Sequence, residues 1–432
     1  MNLLWKKGDD PNIKVRDFTV GKDREFDILI AGCDIEGSIA HVNMISTIGL
    51  LTEEESRVLV EELEIMANEV KDGTFVLEDD IEDIHSQVEI NLTRKLGELG
   101  KKIHSGRSRN DQVLVDVKLF LKKEIRKILG QTDLLFDTLV NLSEKQKDVL
   151  MPGYTHSQIA MPSSFGLWLG GYAETLSDDL LLLLSAWNIA DQNPLGSAAG
   201  YGSSFPLDRE MTTSLLGFGG MHYNSVAAHM SRGKCEKSLA FAISSIASTL
   251  NKLASDSILF MNGNYGFIKF PDELTTGSSI MPHKKNPDVW ELIRGHSNRL
   301  QSLPNEITLL TTNLTHGYHR DFQLLKEILF PALNVVVDIL GMTNYMISNM
   351  IVNRNILSES KYDYLFTVEE VNRRVISGIP FRDAYRAVGE EVNDGTFRAE
   401  KRIAHTHIGS VGNLCNSEII VKFKSIVSMF GK

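Results

Sequence analysis

The chain has 432 residues, 42% of them hydrophobic and 23% charged, which is ordinary for a water-soluble globular protein with a large core and more than one domain. The formal net charge of −11 argues against a nucleic-acid partner, although a local cationic pocket can still hold an anionic substrate. Three widely separated cysteines provide neither a disulfide framework nor a metal-binding spacing, so a reducing cytoplasm is the expected location.

No segment of the sequence predicts contact with a membrane. The N-terminus becomes charged within its first ten residues, too early for a signal peptide. The most apolar run, Phe165 to Trp187, contains three carboxylates, so we predict a buried helix of a bundle and not a membrane span.

The first hundred residues predict a small helical domain. No proline occurs between Pro11 and Pro152, which permits long helices. Asp34 is predicted to cap one helix, and Thr52 with Glu55 forms the capping-box pattern of the next. We therefore assign residues 1–105 to an N-terminal helical domain.

A long-helix bundle is predicted for the centre of the chain. After a polar break at 101–112, one helix is expected to run to about Leu150, and loops then alternate with apolar-periodic segments. The segments are roughly 163–190, 225–262, 288–312 and 322–352, and the loops between them include 151–162, 192–209 and 263–287. Five long helices predict an elongated bundle at 106–355, followed by a C-terminal helical domain at 356–432. Strand signals are scarce, and 266–270 is the best short candidate.

The loop at 275–291 has unusual chemistry for a turn. Gly277 precedes two serines, Pro282 and Pro287 prevent regular helix, and Lys284 with Asn286 brings a cation and an amide beside the serines. Such a loop suits an anionic ligand and a developing negative charge. A surface loop rich in turn residues is the simpler interpretation, and Gly-Ser-Ser alone would favour it.

Three further segments are candidates for binding or catalysis. Residues 106–112, Gly-Arg-Ser-Arg-Asn-Asp-Gln, place two guanidinium groups at a helix start, which suits a carboxylate, although a capped helix with solvated charges has the same pattern. Thr155 and His156 follow a Pro-Gly turn, and a lone histidine is more often structural. Gln323 and Lys326 share a helix face, or simply form a polar helix start. The glycine-rich stretch 193–200 lacks the lysine of a P-loop, so nucleotide binding is not expected.

Together these segments resemble the argininosuccinate lyase family, and the resemblance covers nearly the whole chain. The run Ser-Gly-Arg-Ser-Arg-Asn-Asp-Gln at 105–112 is the most discriminating part, because related families carry different residues there. The Gly277 to Pro287 loop identifies only the wider fumarase/aspartase superfamily. Further matches are Asp-Ile-Glu-Gly-Ser-Ile-Ala-His at 34–41 and Glu-Asp-Ile-His at 82–85.

The resemblance implies a fold, a reaction and an assembly. The fold is mainly α, with three domains and a central bundle that forms a twenty-helix core in a homotetramer, and each active site draws on three subunits. The reaction is the reversible cleavage of argininosuccinate to arginine and fumarate, with no cofactor and no metal. No nucleic acid or membrane is expected as a partner.

Roles for individual residues follow from their positions in the family's motifs. Ser278 is expected to be the base that removes the Cβ proton, and His156, with Glu291 as its carboxylate partner, the acid-side or orienting residue. Lys284 is the expected catalytic cation. The expected substrate-binding residues are His85, Ser108, Arg109, Asn110, Thr155, Arg232, Asn286, Tyr318, Gln323 and Lys326.

The sequence departs from the family's pattern in three places. An acidic stretch is replaced at Ala227 to Gly233, His319 replaces an asparagine, and the usual N-terminal Phe-Asn-Ala-Ser segment is replaced near Phe18 to Asp23. Two alternatives therefore stay open: another fumarate-releasing lyase of the superfamily, such as one acting on adenylosuccinate, and a non-catalytic structural protein resembling the lens crystallins of this family.

Overall fold

Helices dominate the part of the chain that the computed structural model describes, residues 13–431. The N-terminal helices are α1 (Ile13–Val20), α2 (Asp23–Thr47), α3 (Glu53–Lys71), α4 (Ile84–Leu96) and α5 (Glu98–Lys101). The central helices are α6 (Arg109–Lys145), α7 (Phe165–Ala190), α8 (Arg209–Leu215), α9 (Ser225–Met230), α10 (Lys234–Met261), α11 (Asp288–Leu300), α12 (Leu303–Leu310) and α13 (Leu324–Ser348). The C-terminal helices are α14 (Thr367–Ile376), α15 (Phe381–Asn393) and α16 (Asn416–Val427). The charged N-terminal segment discussed above lies outside the described residues.

The predicted long-helix bundle is confirmed. α6 packs on α7 and α13, and α10 packs on α7 and α11, so that their apolar faces form one core. Two predicted segments are each divided into two helices. The segment 225–262 divides at Gly233, whose φ of +77° is rarely accessible to other residues. The segment 288–312 divides at Gln301.

The interpretation of Asp34 as a helix cap is wrong. α2 begins at Asp23, and Asp34 lies in the middle of this 25-residue helix with none of its surface exposed. α2 is also long and apolar enough, by length and composition alone, to cross a membrane. Because 67% of its most apolar window is buried inside the fold, where it packs on α3 and α6, we assign α2 as a core helix.

Short strands flank the bundle. They are β1 (Leu150–Thr155), β2 (Gln158–Ser164), β3 (Gln192–Asn193), β4 (Gly220–Met221), β5 (Ile268–Lys269), β6 (Thr276–Gly277), β7 (Lys285–Asn286) and β8 (Ile351–Val352). β1 pairs antiparallel with β2, so the segment 151–162, predicted as a loop, is a hairpin. β5, inside the predicted strand 266–270, pairs antiparallel with β8, β6 pairs antiparallel with β7, and β3 runs parallel to β4.

The three-domain division stays a prediction. Helices on both sides of the 105/106 boundary share one apolar core, which extends from Ile30 on α2 to Phe430. The contacts between α2 and α6 matter for function because they bring residues from the N-terminal helices to the start of α6.

Candidate active site

A polar cavity of about 240 Å³ lies at the start of α6. It contains seven of the sequence-predicted site residues: His85, Arg109, Asn110, Arg232, Tyr318, Gln323 and Lys326. Four carboxylates also line it, namely Asp23, Asp27, Glu82 and Asp83. One chain therefore brings together half of the predicted site around a mixture of cations, amides and carboxylates.

The start of α6 is built by a capping box. Ser108 is the N-cap: its hydroxyl accepts a hydrogen bond from the N–H of Asn110 at 3.3 Å, and its own N–H donates to Asp111 at 2.8 Å. Two hydrogen bonds fix the Arg109 side chain: its guanidinium donates to Asp83 at 2.9 Å and to the Ser86 hydroxyl at 2.7 Å. The helix N-terminus thus presents positive charge to the cavity, which suits a carboxylate ligand.

His85 supplies a second cation at the cavity wall. Its Nδ1 lies 2.8 Å from Oδ1 of Asp34 and 3.5 Å from Oδ2 of Asp116. Burial alone would lower the pKa of His85, but the neighbouring carboxylates outweigh it and raise the pKa to about 9. His85 therefore carries a positive charge at neutral pH.

Lys326 contributes a buried cation from the first turn of α13. Its Nζ lies 2.6 Å from Asp23 and also contacts Asp27, and both carboxylates belong to α2. Burial opposes the charge of Lys326, yet these two carboxylates raise its pKa above the ordinary value. The pKa of Asp23 is also raised, to about 6, by its burial and then by the charge of Asp27.

Gln323 links the cavity to the N-terminal segment. Its side-chain amide donates to the carbonyl oxygens of Thr19 and Val20, at 3.1 and 2.9 Å. The segment at 18–23, where the sequence departs from the family's pattern, therefore contributes backbone to the cavity wall. Sequence reasoning missed Asp23 and Asp27 as wall residues, although their spacing of four on one helix face was a readable signal.

Arg232 lies between α9 and α10 and is buried. Its Nε is 2.7 Å from Oε1 of Glu236, and its Nη2 donates to the carbonyl oxygen of Phe322 at 3.1 Å. Its Nη1 has no hydrogen-bond partner within the described residues, which leaves one amino group of the guanidinium available to a ligand.

The serine loop lies elsewhere, between α10 and α11. β6 and β7 close it as a hairpin, and Asn286 donates weakly to Gly277 across the strands at 3.4 Å. The Ser278 hydroxyl oxygen accepts hydrogen bonds from the backbone N–H groups of Ile280 at 3.3 Å and Met281 at 3.0 Å. Two backbone donors on one hydroxyl oxygen would stabilise negative charge there. Lys284 is exposed on the same loop.

His156 occupies the tip of the β1–β2 hairpin, next to Thr155. His156 and Ser157 form its two-residue turn, with φ of +50° and +60°, the left-handed conformation that such turns require. His156 is exposed. Within one chain it has no hydrogen bond to Glu291, which is exposed on the first turn of α11.

The length of one long helix separates the cavity residues from the residues of the hairpin and the serine loop. α6 has 37 residues, so about 54 Å lies between Ser108 at its start and the hairpin that follows its end. α10 begins beside Arg232 and carries the chain about 40 Å toward the serine loop over its 28 residues. The Tyr154 ring on the hairpin lies 5.6 Å from the Tyr265 ring, so both loops belong to the far end of the bundle. One chain alone does not join the two groups.

Comparisons with known proteins show the family to which the chain belongs. A family model described as "Lyase" matches residues 18–302. The argininosuccinate lyase of Parabacteroides distasonis is 55% identical over 427 residues, covering 99% of this chain and 96% of that protein. The argininosuccinate lyase of Thermotoga neapolitana is 42% identical over 388 residues, covering 90% and 98%.

Solved structures share the fold. EDDS lyase in complex with formate aligns with a TM-score of 0.74 at 21% identity, covering 98% of this chain and 91% of that one. Class II fumarase from Schistosoma mansoni aligns with a TM-score of 0.67 at 17% identity, covering 87% and 88%. At these identities the likeness concerns the fold alone.

The fold and the family match define a carbon–nitrogen lyase of the fumarase/aspartase superfamily. Within that superfamily, the chain belongs to the argininosuccinate lyase family, since its relatives of that name match it over almost their whole length.

Proposed function

We propose that the protein is a cytoplasmic enzyme that cleaves argininosuccinate reversibly to arginine and fumarate, in the direction used for arginine biosynthesis. The observation that carries this proposal is the 55% identity over 427 residues to a protein named argininosuccinate lyase. The cavity supports it, because its cations His85, Arg109 and Lys326 suit a substrate with several carboxylates, as does Nη1 of Arg232, which has no partner among residues 13–431.

In the proposed reaction, Ser278 removes the proton from the carbon next to a substrate carboxylate. The electron pair moves into that carboxylate and forms a doubly charged aci-carboxylate, which Lys284 and Asn286 stabilise by charge and by hydrogen bonding. Serine is a poor base unless its alkoxide is stabilised. The N–H groups of Ile280 and Met281, which already point at the Ser278 oxygen, supply part of that stabilisation.

The carbon–nitrogen bond then breaks as the double bond of fumarate forms. The electron pair of the breaking bond goes to the departing guanidino nitrogen, so a proton must reach that side of the substrate. His156 is the proposed acid-side or orienting residue, and Glu291 of a neighbouring subunit fixes its tautomer. Ser108, Arg109, Asn110 and Thr155 would bind the fumarate-forming half, and Tyr318, Gln323 and Lys326 the remainder.

The separation of about 54 Å along α6 supports a site shared between subunits. The cavity end of one chain would meet the hairpin of a second and the serine loop of a third within a homotetramer. Exposed apolar side chains on the long helices, such as Leu181, Leu182 and Phe241, are consistent with packing against further copies.

A direct assay tests the activity. Purified protein is incubated separately with argininosuccinate and with adenylosuccinate, while fumarate absorbance and released arginine are measured. We expect fumarate and arginine in equal amounts from argininosuccinate and no turnover of adenylosuccinate. Turnover of adenylosuccinate alone would identify a different lyase, and inactivity toward both would favour a structural protein on this scaffold.

A further inference from the structure

Two buried histidines near the start of α6 have opposite surroundings. His41 is fully buried, and its Nε2 lies 2.9 Å from the carbonyl oxygen of Ser105. Burial and the nearby Arg107 lower the pKa of His41 to about 3, so its ring is neutral. His85 is 7% exposed, yet the carboxylates beside it raise its pKa to about 9. The neighbouring carboxylates therefore decide the charge of a buried imidazole here.

Asp34, and not Asp116, is the counter-ion of His85. Asp34 has the shorter contact, 2.8 Å against 3.5 Å, and its Oδ1 also accepts a hydrogen bond from Gln112 at 2.6 Å. Burial opposes ionisation of Asp34, but His85 and Arg107 outweigh it and lower its pKa. Neither oxygen of Asp116 has a hydrogen-bond partner within the described residues, and burial together with the charge of Asp34 raises the pKa of Asp116 well above its ordinary value. Asp116 is therefore the weaker counter-ion of the two carboxyl groups.

This contact also orients the ring. Nδ1 of His85 donates to Asp34, which leaves Nε2 as the ring nitrogen available to a ligand in the cavity that His85 lines. The carboxyl groups that act on His85 come from three directions: Asp34 on α2, Asp83 just before α4, and Asp116 on α6. The cavity side contributes the cations Arg109, Arg232, Arg320 and Lys326 together with the carboxylates Asp23, Asp27, Glu82 and Asp83.

We propose that Asp34 is a positioning residue, which holds His85 as a doubly protonated ring so that Nε2–H binds a carboxylate of the substrate. The identity of that ligand rests on the proposed function. Asp34 itself touches no substrate, since it is fully buried behind His85.

Histidine-selective ¹⁵N labelling of the whole protein tests the state of the ring. The ring nitrogens are followed from pH 6 to 8.5 in the wild type, Asp34→Asn and Asp116→Asn, and the signals are assigned with His85→Gln and His41→Gln. We expect His85 to stay mostly doubly protonated over this range in the wild type and to lose its proton within it in Asp34→Asn. Asp116→Asn should stay closer to the wild type, because Asp116 lies farther from the ring than Asp34 does. His41 should be neutral in every sample.

The pH dependence of KM provides a second measurement, which a merely structural role of Asp34 would not change. For Asp34→Asn we expect KM for argininosuccinate to rise at least about tenfold relative to the wild type as the pH increases from 6.5 to 8.5, since a charge-assisted hydrogen bond is lost. The value of kcat should change much less. Damage to the fold would instead lower activity by a similar factor at each pH, and His85→Gln should give a raised KM that is independent of pH.

Three results would overturn the proposal. The first is a neutral His85 in the wild type, which needs no variant to observe. The second is a His85 that stays doubly protonated in Asp34→Asn. The third is one tightly bound divalent metal per chain that disappears in Asp34→Asn, because Asp34, His85 and Asp116 lie close enough together to hold one. Failure of the proposed function gives a different outcome, a charged His85 without argininosuccinate cleavage.

Discussion

The carboxylate of Asp111 accepts a hydrogen bond of 2.8 Å from the backbone N–H of Ala198, 87 positions further along the chain. The same oxygen accepts from the N–H of Gly196 at 3.0 Å, and the other oxygen accepts from the N–H of Ser108. Asp111 is fully buried. One side chain therefore joins the start of α6 to the glycine-rich loop, where Ala198 has a φ of +51°.

Asp111→Ala should destabilise the protein strongly. Three buried or partly buried backbone N–H groups would lose their acceptor, and we expect the free energy of unfolding to fall by about 3 kcal/mol. Asp208→Ala is the matched control, since Asp208 caps α8 near the surface through one hydrogen bond and should cost about 1 kcal/mol. Urea denaturation measures both variants. Equal losses would show that Asp111 acts only as a local cap.

His41 should make the protein sensitive to acid. Its pKa is about 3 in the folded chain and near 6.5 when exposed, so protons bind preferentially to the unfolded state. The contribution of His41 is present in full above pH 6.5 and is lost as the pH falls toward 3. By pH 5 it should lower the free energy of unfolding by about 2 kcal/mol. His41→Gln, which can still donate to Ser105, should reduce this slope between pH 7 and pH 5. An unchanged slope would assign acid sensitivity to other groups.

Ser278→Ala tests the proposed base. Because the hydroxyl acts mainly in the transition state, we expect kcat to fall by more than about a hundredfold while KM and the melting temperature stay close to the wild type. Ser279→Ala is the matched control on the same loop and should retain most of its activity. Near-normal turnover by Ser278→Ala would exclude Ser278 as the base.

Glu291→Gln tests the proposed partner of His156. The amide does not fix one tautomer of the imidazole as a carboxylate does, so we expect kcat to fall by about tenfold or more with little change in thermal stability. Glu306→Gln, an exposed substitution on the neighbouring helix α12, serves as the control. A structure of the assembly with substrate bound, in which the two side chains lie far apart in every site, would contradict this role.

Mixing two inactive variants tests the shared site. His156→Ala and Ser278→Ala proteins are dissociated, mixed equally and reassembled. If the two residues reach one site from different chains and assort independently, about a quarter of the sites should contain both native residues, and activity should reappear. Each variant reassembled alone is the control. Mixed tetramers, verified by mass, that stay inactive would refute the sharing.

Local structure was predictable from the sequence where its hydrogen bonds connect residues that are close together in the chain. The capping box at Thr52 forms as expected, because its hydrogen bonds span only three residues. Asp34 was wrongly predicted to cap a helix because its partner His85 lies 51 positions away, and the local sequence pattern does not indicate that contact. The hairpin at His156 was missed because Pro152 and Gly153 suggest a loop, whereas Pro152 pairs with Pro162 in a strand that bulges after it.

The length of α6 has a consequence for how this chain can tolerate insertions and deletions. One extra residue inside α6 would rotate everything beyond it by about 100° and shift it by about 1.5 Å. Seven extra residues, nearly two full turns, would keep the faces in register but move the hairpin by about 10 Å. In a site assembled from several copies, that displacement would misplace His156 relative to residues it never meets within its own chain. Length variation among relatives should therefore concentrate in surface segments such as 394–415 and be absent from α6.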